Sequence, residues 1–395
     1  MMKQIDELSS LRRKRSAEIL QMVLAQGSMT RSDIVRETGY TMASVIKYTQ
    51  MLVESGVLVD RAFGNGRTLS FSIAPTLGNV IAIVVGRSIQ GMLVDPRGRV
   101  LCTSGKIPFE EDVSPGFFLK AIDHIVAEVR KDGTVIAIGL AIGGYINPLQ
   151  GISHTFYASN LWRDFEMTAS IKKRFGIPAF IMNDANAAAQ GENYYGTGKK
   201  FDNFLLVWLG EGTGLGIIID GELYTGSSFS AGEIGHTHVE GAEELCYCGN
   251  VGCLETVTSE AGLLREYCKL NSTVSVQPPF LLSRGGYDTI TIDALVDLAN
   301  RGDRFAQRVF TRAADALVQK LSDLCNIFNP AALIFRGPVI DGNTFLFETV
   351  SHKLKTGVLP PVAEVLNLCG SERDSLPVSP IGKGLAAEAL LRSIG

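Results

Sequence analysis

His236, Cys246, Cys248 and Cys253 stand in the spacing H-x9-C-x-C-x4-C, inside the segment GEIGHTHVEGAEELCYCGNVGCLE. Three thiolates and one imidazole supply the four soft or borderline donors that tetrahedral Zn2+ accepts, with no coordination position left open. Gly249 and Gly252 allow the chain to fold sharply between the last two thiols. A closed four-ligand set predicts a structural zinc ion that shapes its loop and does not activate water. His238 competes with His236 by proximity. Cys102, Cys268, Cys325 and Cys369 are scattered and read as ordinary core residues.

A different chemistry is written near the N-terminus. Thr41, Ala43, Ser44 and Lys47, with Tyr48 at the rim, would stand at the start of one helix. Short polar, methyl and cationic side chains at a helix N-terminus are what base edges in a major groove require. Arg12, Arg13, Lys14 and Arg15 form a basic cluster upstream, and Arg67 lies downstream. Those cations suit phosphate contacts.

The elements that must position these residues follow from pattern. Leu11 to Gln26 has Ile19, Leu20, Val23 and Leu24 at helical spacing, and Gly27 stops it. Thr30 caps a short helix from Arg31 to Thr38, Gly39 makes a turn, and Thr41 caps a longer helix that Gly56 ends. Val57–Arg61 and Thr68–Ile73 read as two strands around Gly64-Asn65-Gly66. Helix, short helix, turn, helix and ribbon is the layout of a winged helix-turn-helix, with Thr41 to Ser55 as its recognition helix. A dimerisation domain of three helices is the competing reading.

After the linker Ala74–Gly78, strands alternate with helices: Val80–Val85, Gly91–Asp95, Val135–Ala141, Ala179–Met182, Phe204–Leu209, Ile217–Ile219 and Ala332–Phe335. Ser114 or Pro115 opens one helix, and a long one runs from Arg304 to Phe328. This predicts an α/β body with buried sheets, in which the runs near 80 and near 204 could be two related halves.

Composition sets the bounds. At 395 residues the chain is too long for one core. Its net charge of −4 hides an asymmetry. Residues 1–73 hold ten Lys/Arg against seven Asp/Glu, while the remainder is acidic. A basic arm on an acidic body points to local contact with a polyanion. The polar start MMKQIDELSS has no apolar segment of a secretory signal, and no apolar run is long enough to span a bilayer. A cytoplasmic protein without membrane contact is expected.

The chain resembles the ROK family (repressor, open reading frame, kinase), specifically its NagC/XylR-type regulators with an N-terminal DNA-binding arm. The residues that carry the likeness are Asn183-Asp184-Ala185-Asn186-Ala187-Ala188-Ala189, Gly210-Glu211-Gly212-Thr213-Gly214, Gly232-Glu233-Ile234-Gly235-His236 and Cys246 through Glu255. The resemblance implies an α/β fold: a winged helix-turn-helix (1–75) joined to an actin-like, ribonuclease H-like two-lobed sugar-kinase body. The first lobe would be 76–182, closed by a C-terminal helix 380–395. The second, 183–379, would carry the zinc site and a dimerisation surface. It further implies that Asn183, Asp184, Glu233, His236 and Glu255, with Gly144 and Ser159, contact a sugar. Sugar hydroxyls both donate and accept, which suits clustered carboxylates and an amide. His236 could hold zinc with one ring nitrogen and a sugar hydroxyl with the other.

In family members that are kinases, the residue matching Asp184 is the general base. The kinases' D-x-G-x-T turn, however, is Val84-Val85-Gly86-Arg87-Ser88 here, and Phe335-Arg336-Gly337-Pro338 departs from their glycine-rich nucleotide turn. Valine can neither organise Mg2+ nor orient phosphate, and phosphoryl transfer depends on positioning and charge neutralisation. The expectation is therefore a sugar-responsive repressor of carbohydrate-utilisation genes, with structural zinc and without ATP. Its partners would be operator DNA, a sugar effector and further copies of itself as a dimer or tetramer. The alternative is an active ATP-dependent sugar kinase with an appended arm.

Overall fold

The structure, a computed structural model, describes residues 10–63, 68–109, 113–130, 133–156, 159–271, 290–370, 376 and 378–393. Arg67 and the expected turn around it lie outside the described residues.

The arm is built from local signals. Helices span Ser10–Gln26, Arg31–Thr38 and Met42–Glu54. Thr30 and Asp33 form a reciprocal capping box, with hydrogen bonds of 3.2 and 3.0 Å. Gly39 ends the second helix at φ 68°, a conformation that disfavours any Cβ. The Thr41 hydroxyl then accepts the Ser44 N–H at 3.3 Å and starts the third helix. Strands Leu58–Phe63 and Thr68–Ile73 pair antiparallel, and Met29–Thr30 adds a third strand against Phe71 and Ser70. Ile19, Leu20, Ile34, Val45, Leu52 and Phe71 are fully buried at the centre.

The body contains two sheets of the same plan. In the first, Asn79–Val85, Ser88–Val94 and Val100–Thr103 run antiparallel; Val135–Ile142 joins the first of these in parallel, and Ala179–Met182 lies beyond it. In the second, Phe204–Leu209, Thr213–Ile219 and Glu222–Leu223 run antiparallel; Ala332–Arg336 joins in parallel, and Asn367–Cys369 lies beyond. The two strand-rich runs are thus topological repeats. A strand begins at Thr213, ahead of the expected Ile217, because Gly214 and Gly216 read as turn in sequence yet pack against Ala185 and Ala189. A further three-stranded sheet, Ile146–Asn147, Ile152–Phe156 and Ser159–Glu166, has mixed polar and aromatic composition without clean alternation.

Between the two sheets lie the helices Asp184–Tyr195 and Ser379–Arg392. One apolar core takes Val80, Ala82 and Phe180 from the first sheet, Phe204, Leu206 and Ile334 from the second, and Ala188 and Leu385 from the helices. The helices cross in near contact: a Cβ at Gly384 would stand 1.7 Å from the Ala187 carbonyl oxygen, so only glycine fits. Glu192 ties the first helix to the second sheet through a buried ion pair with Arg336 (2.7 Å). The Tyr195 hydroxyl donates to the Pro96 carbonyl of the first lobe at 3.3 Å. Tyr194, Ala387 and Leu390 belong to the same buried cluster as Ile19, Leu20 and Phe71 of the arm. The arm therefore shares its core with the helices on which the two lobes meet.

Candidate functional site

The donor atoms of His236, Cys246, Cys248 and Cys253 all lie within 4.8 Å of one another. Cys246 Sγ is 3.6 Å from His236 Nδ1, and Cys248 Sγ is 3.6 Å from Cys253 Sγ. A zinc tetrahedron with zinc–sulfur bonds of about 2.3 Å has edges of roughly 3.8 Å, so the donors stand at ligation spacing. The loop is folded by hydrogen bonds from Cys246 N–H to the Asn250 carbonyl (2.8 Å) and from Gly249 N–H to the Cys246 carbonyl (2.9 Å). Burial pushes the Cys246 thiol up to about 12 and also raises Cys253, whereas hydrogen bonds from Asn250 and the neighbouring thiols lower Cys248; a bound cation would hold all three as thiolates. His238 stands apart, its Nδ1 3.4 Å from the Val251 carbonyl oxygen. Proximity in sequence did not separate the two histidines; the fold does.

His236 faces two ways. Nδ1 meets the thiols, while Nε2 is 3.0 Å from the Tyr247 hydroxyl and 3.8 Å from Glu233 Oε2. The expected sugar contact His236 does not itself line the cleft that separates the lobes; its ring meets Tyr247 and Glu233, which do.

That cleft has a volume of ≈ 630 Å³ and is lined by Gly144, Asn183, Asp184, Glu233 and Glu255, among others. Asp184 opens the inter-sheet helix, and its Oδ1 accepts the Ala185 N–H at 2.8 Å. Glu255 Oε2 accepts the Thr213 N–H at 3.2 Å. Gly144, at φ 97°, passes so close to Thr155 that a Cβ would lie 2.6 Å from its carbonyl oxygen. Burial, with the Glu211 charge in support, holds the Asp184 carboxyl above the usual range. Burial and then the Asp184 charge raise Glu233 to about 7. Burial likewise raises Glu255 to about 7, with Asp184 adding to it. A carboxyl that titrates near neutrality can donate as well as accept, which matches the double nature of a hydroxyl.

Two of the expected sugar contacts have other bonds to make. Asn183 lines the cleft, but its side-chain oxygen caps the helix by accepting the Asn186 N–H at 3.1 Å. Ser159 is buried outside the cleft lining; its hydroxyl donates to the Val113 carbonyl (2.8 Å) and accepts the Leu161 N–H (3.1 Å). Those bonds commit the hydroxyl's one proton, and Ser159 is not among the residues that line the cleft.

On the arm, Thr41, Ala43 and Lys47 are exposed and Ser44 is half-buried. Tyr48 is only 5 % exposed and sits in the arm's core. Val45, Tyr48, Thr49 and Leu52 form the buried stripe of their helix, so Tyr48 cannot also present its ring to a groove, and the rim assignment is corrected. Met42 and Ile46, 44 % and 39 % exposed, occupy the outward face instead, a pair that composition alone files under core. Arg12 and Lys14 are exposed on the first helix.

With the geometry in place, the comparisons with known proteins are decisive on family. A profile described as the ROK family matches residues 80–372. The chain belongs to the ROK family. The N-terminal arm precedes the ROK region, and similarity to relatives extends through both. The chain is 28 % identical to NagC of Escherichia coli K12, a DNA-binding transcriptional dual regulator, over 381 residues covering 94 % of this chain and 92 % of that one. The crystal structure of a ROK family transcriptional regulator, a homologue of the E. coli MLC protein, has the same fold over 98 % of both chains (TM-score 0.77, 23 % identity). A ROK glucokinase from Streptomyces griseus, solved with glucose and AMPPNP, matches 78 % of this chain and 98 % of its own (TM-score 0.66, 27 % identity). The full-length likeness is thus to regulators, and the kinase likeness is confined to the body.

Two cleft residues of this ROK chain escaped sequence reasoning. Tyr247 sits between Cys246 and Cys248 and reaches His236 Nε2. Glu211, inside a glycine turn, hydrogen-bonds across to the other lobe at Arg87. The signal for Glu211 was present as an acid between two glycines. Among the described residues, no helix is long and apolar enough to cross a membrane.

Proposed function

We propose that this chain is a sugar-responsive DNA-binding repressor with a structural zinc ion, and that it has no phosphotransfer activity. The observation that carries the reading is the helix Asp184–Tyr195, which begins in the carboxylate cleft and ends in the arm's core.

Asp184, Glu233 and Glu255 hold sugar hydroxyls beside Asn183, with the backbone at Gly144 closing on the sugar from the first lobe and His236 acting on it through the Tyr247 hydroxyl from the second. Zinc, when bound by His236, Cys246, Cys248 and Cys253, fixes the loop that orients His236 and Glu255. Sugar stabilises one relative setting of the lobes, and it must bind the two settings unequally to shift their populations. Because the arm packs on the helices between the lobes, a change in lobe setting moves the arm. Thr41, Ala43, Ser44 and Lys47 read the major groove, with Met42 and Ile46 offering apolar contact to thymine methyls, and Arg67 contributes from the wing. A two-fold homodimer spaces two such helices over a pseudo-palindromic site, and sugar takes them out of register. Such a regulator acts in the cytoplasm.

Phosphotransfer has no support because Val84 stands at the cleft where a carboxylate would be needed, and because Phe335-Arg336-Gly337-Pro338 departs from the kinases' glycine-rich nucleotide turn. The test is a mobility-shift titration of upstream DNA with the full chain, with and without a panel of hexoses, pentoses and N-acetyl sugars. Saturable binding released by one sugar is expected. DNA retention that no sugar alters would overturn the reading, as would sugar phosphorylation at ordinary kinase rates.

A further inference from the structure

At the end of the cleft beyond Asp184, two turns face each other. Val85-Gly86-Arg87-Ser88 links the first two strands of the first sheet, and Gly210-Glu211-Gly212 links the first two of the second. Each is closed by the same bond: Gly86 N–H to the Ser88 carbonyl and Gly210 N–H to the Gly212 carbonyl, both 3.0 Å. They are equivalent positions of the repeated topology. Tight glycine turns that aim backbone N–H groups into a cleft are anion cradles, because fixed N–H dipoles replace the water an anion gives up. The related glucokinase takes AMPPNP together with glucose.

In this chain the cradle already holds an anion of its own. Glu211 Oε2 accepts the Arg87 N–H at 2.6 Å, across 124 residues and from one lobe to the other. The fit is close: a Cβ at Gly86 would stand 2.4 Å from that oxygen, so Gly86 is what admits the carboxylate. Glu260 and Asp293 line the same end, where Arg87 and Lys106 are the nearby cations. A polyphosphate entering here would have to displace one carboxylate from its donor and lie among two others.

We infer that Glu211 is the residue that sets what this cleft accepts: its carboxylate occupies the phosphate-binding turn of the opposite lobe, excludes nucleotide phosphates and latches the two lobes together. Gly86 and Glu211 work as a pair, one making room and the other filling it. The loss of nucleotide binding is thus an occupied site as much as a missing Asp. The inference deepens the reading above, on which it rests for the silence of the nucleotide end.

The experiment compares the full-length chain with Glu211→Ala and Glu211→Ser. Each is titrated calorimetrically with magnesium ATP and with inorganic tripolyphosphate, and operator binding reports the folded state. The unaltered chain is expected to show no saturable heat, and at least one variant to gain binding at least tenfold above its detection limit. Two folded variants that stay as blind to both polyphosphates as the parent would overturn the inference, and so would tight binding of magnesium ATP by the parent. A sugar titration on the parent runs alongside. Its failure would sink the sugar-responsive reading, while the comparison of Glu211 variants would still be decided by its own heats.

Discussion

Asp184 and Tyr194 stand at opposite ends of one helix, the carboxylate in the cleft and the ring in the core shared with the arm. Ten residues at about 1.5 Å rise separate them by about 15 Å. The helix is held to the second sheet by Glu192–Arg336 and to the first lobe by Tyr195, and Tyr194 packs in one buried cluster with Ile19 and Leu20 of the arm. A rigid element with one end in each compartment needs no long pathway to couple them.

Asp184→Ala is expected to abolish the sugar response and leave operator affinity within a few-fold of the parent. Calorimetry with the effector sugar and a mobility shift without it measure the two separately. Sugar-dependent release that persists in this variant would remove Asp184 from the pocket.

Tyr194→Leu removes the ring that this helix lends to the arm's core. Sugar affinity should be retained, while the sugar-induced drop in operator affinity shrinks. Coupling between sites commonly amounts to about 5–150-fold, and a reduction severalfold below the parent's factor is anticipated. An unchanged ratio of the two operator affinities would show that this contact carries none of the coupling.

Cys248→Ser takes away one of the four donors proposed to close the zinc site. Elemental analysis should find about one zinc per parent chain and clearly less in the variant, with a lower melting temperature, since metal bound only by the folded state stabilises it. Full zinc content in the variant would mean a different ligand set.

Lys47→Ala should weaken operator binding on the order of tenfold, within the ~1–3 kcal/mol span of a lost groove contact. Tyr48→Phe, altering a buried side chain, should leave base preference unchanged. Selection of binding sites from a randomised operator distinguishes the two variants.

Burial, reinforced by Glu211, raises Glu260 to about 7. Between about pH 4.3, where an ordinary carboxyl ionises, and pH 7, the folded chain keeps a proton that the unfolded chain has lost. Stability from this group is therefore full at low pH, falls as pH rises through that window, and is flat above it. Glu260→Gln should raise the melting temperature relative to the parent at pH 8 and make little difference at pH 4.5. An equal shift at both values would contradict a raised Glu260.

The amino-acid sequence by itself determined whatever is decided within a few residues. The donor cluster of His236, Cys246, Cys248 and Cys253 is legible because metal coordination demands particular side chains at close spacing. The caps at Thr30 and Thr41 and the stop at Gly39 place the arm's helices, because helix ends are settled by side-chain bonds one turn away. The long helix Arg304–Phe328 and the strand Phe204–Leu209 matched their patterns residue for residue. Tertiary structure alone decided which side chains were spare. Ser159 spends its hydroxyl on Val113, 46 residues distant; Tyr48 turns inward because the arm's core needs its ring; Glu211 finds Arg87 only when the lobes come together. Those outcomes depend on packing between segments far apart in the chain, where the energy of one contact is set by what every neighbouring element leaves room for.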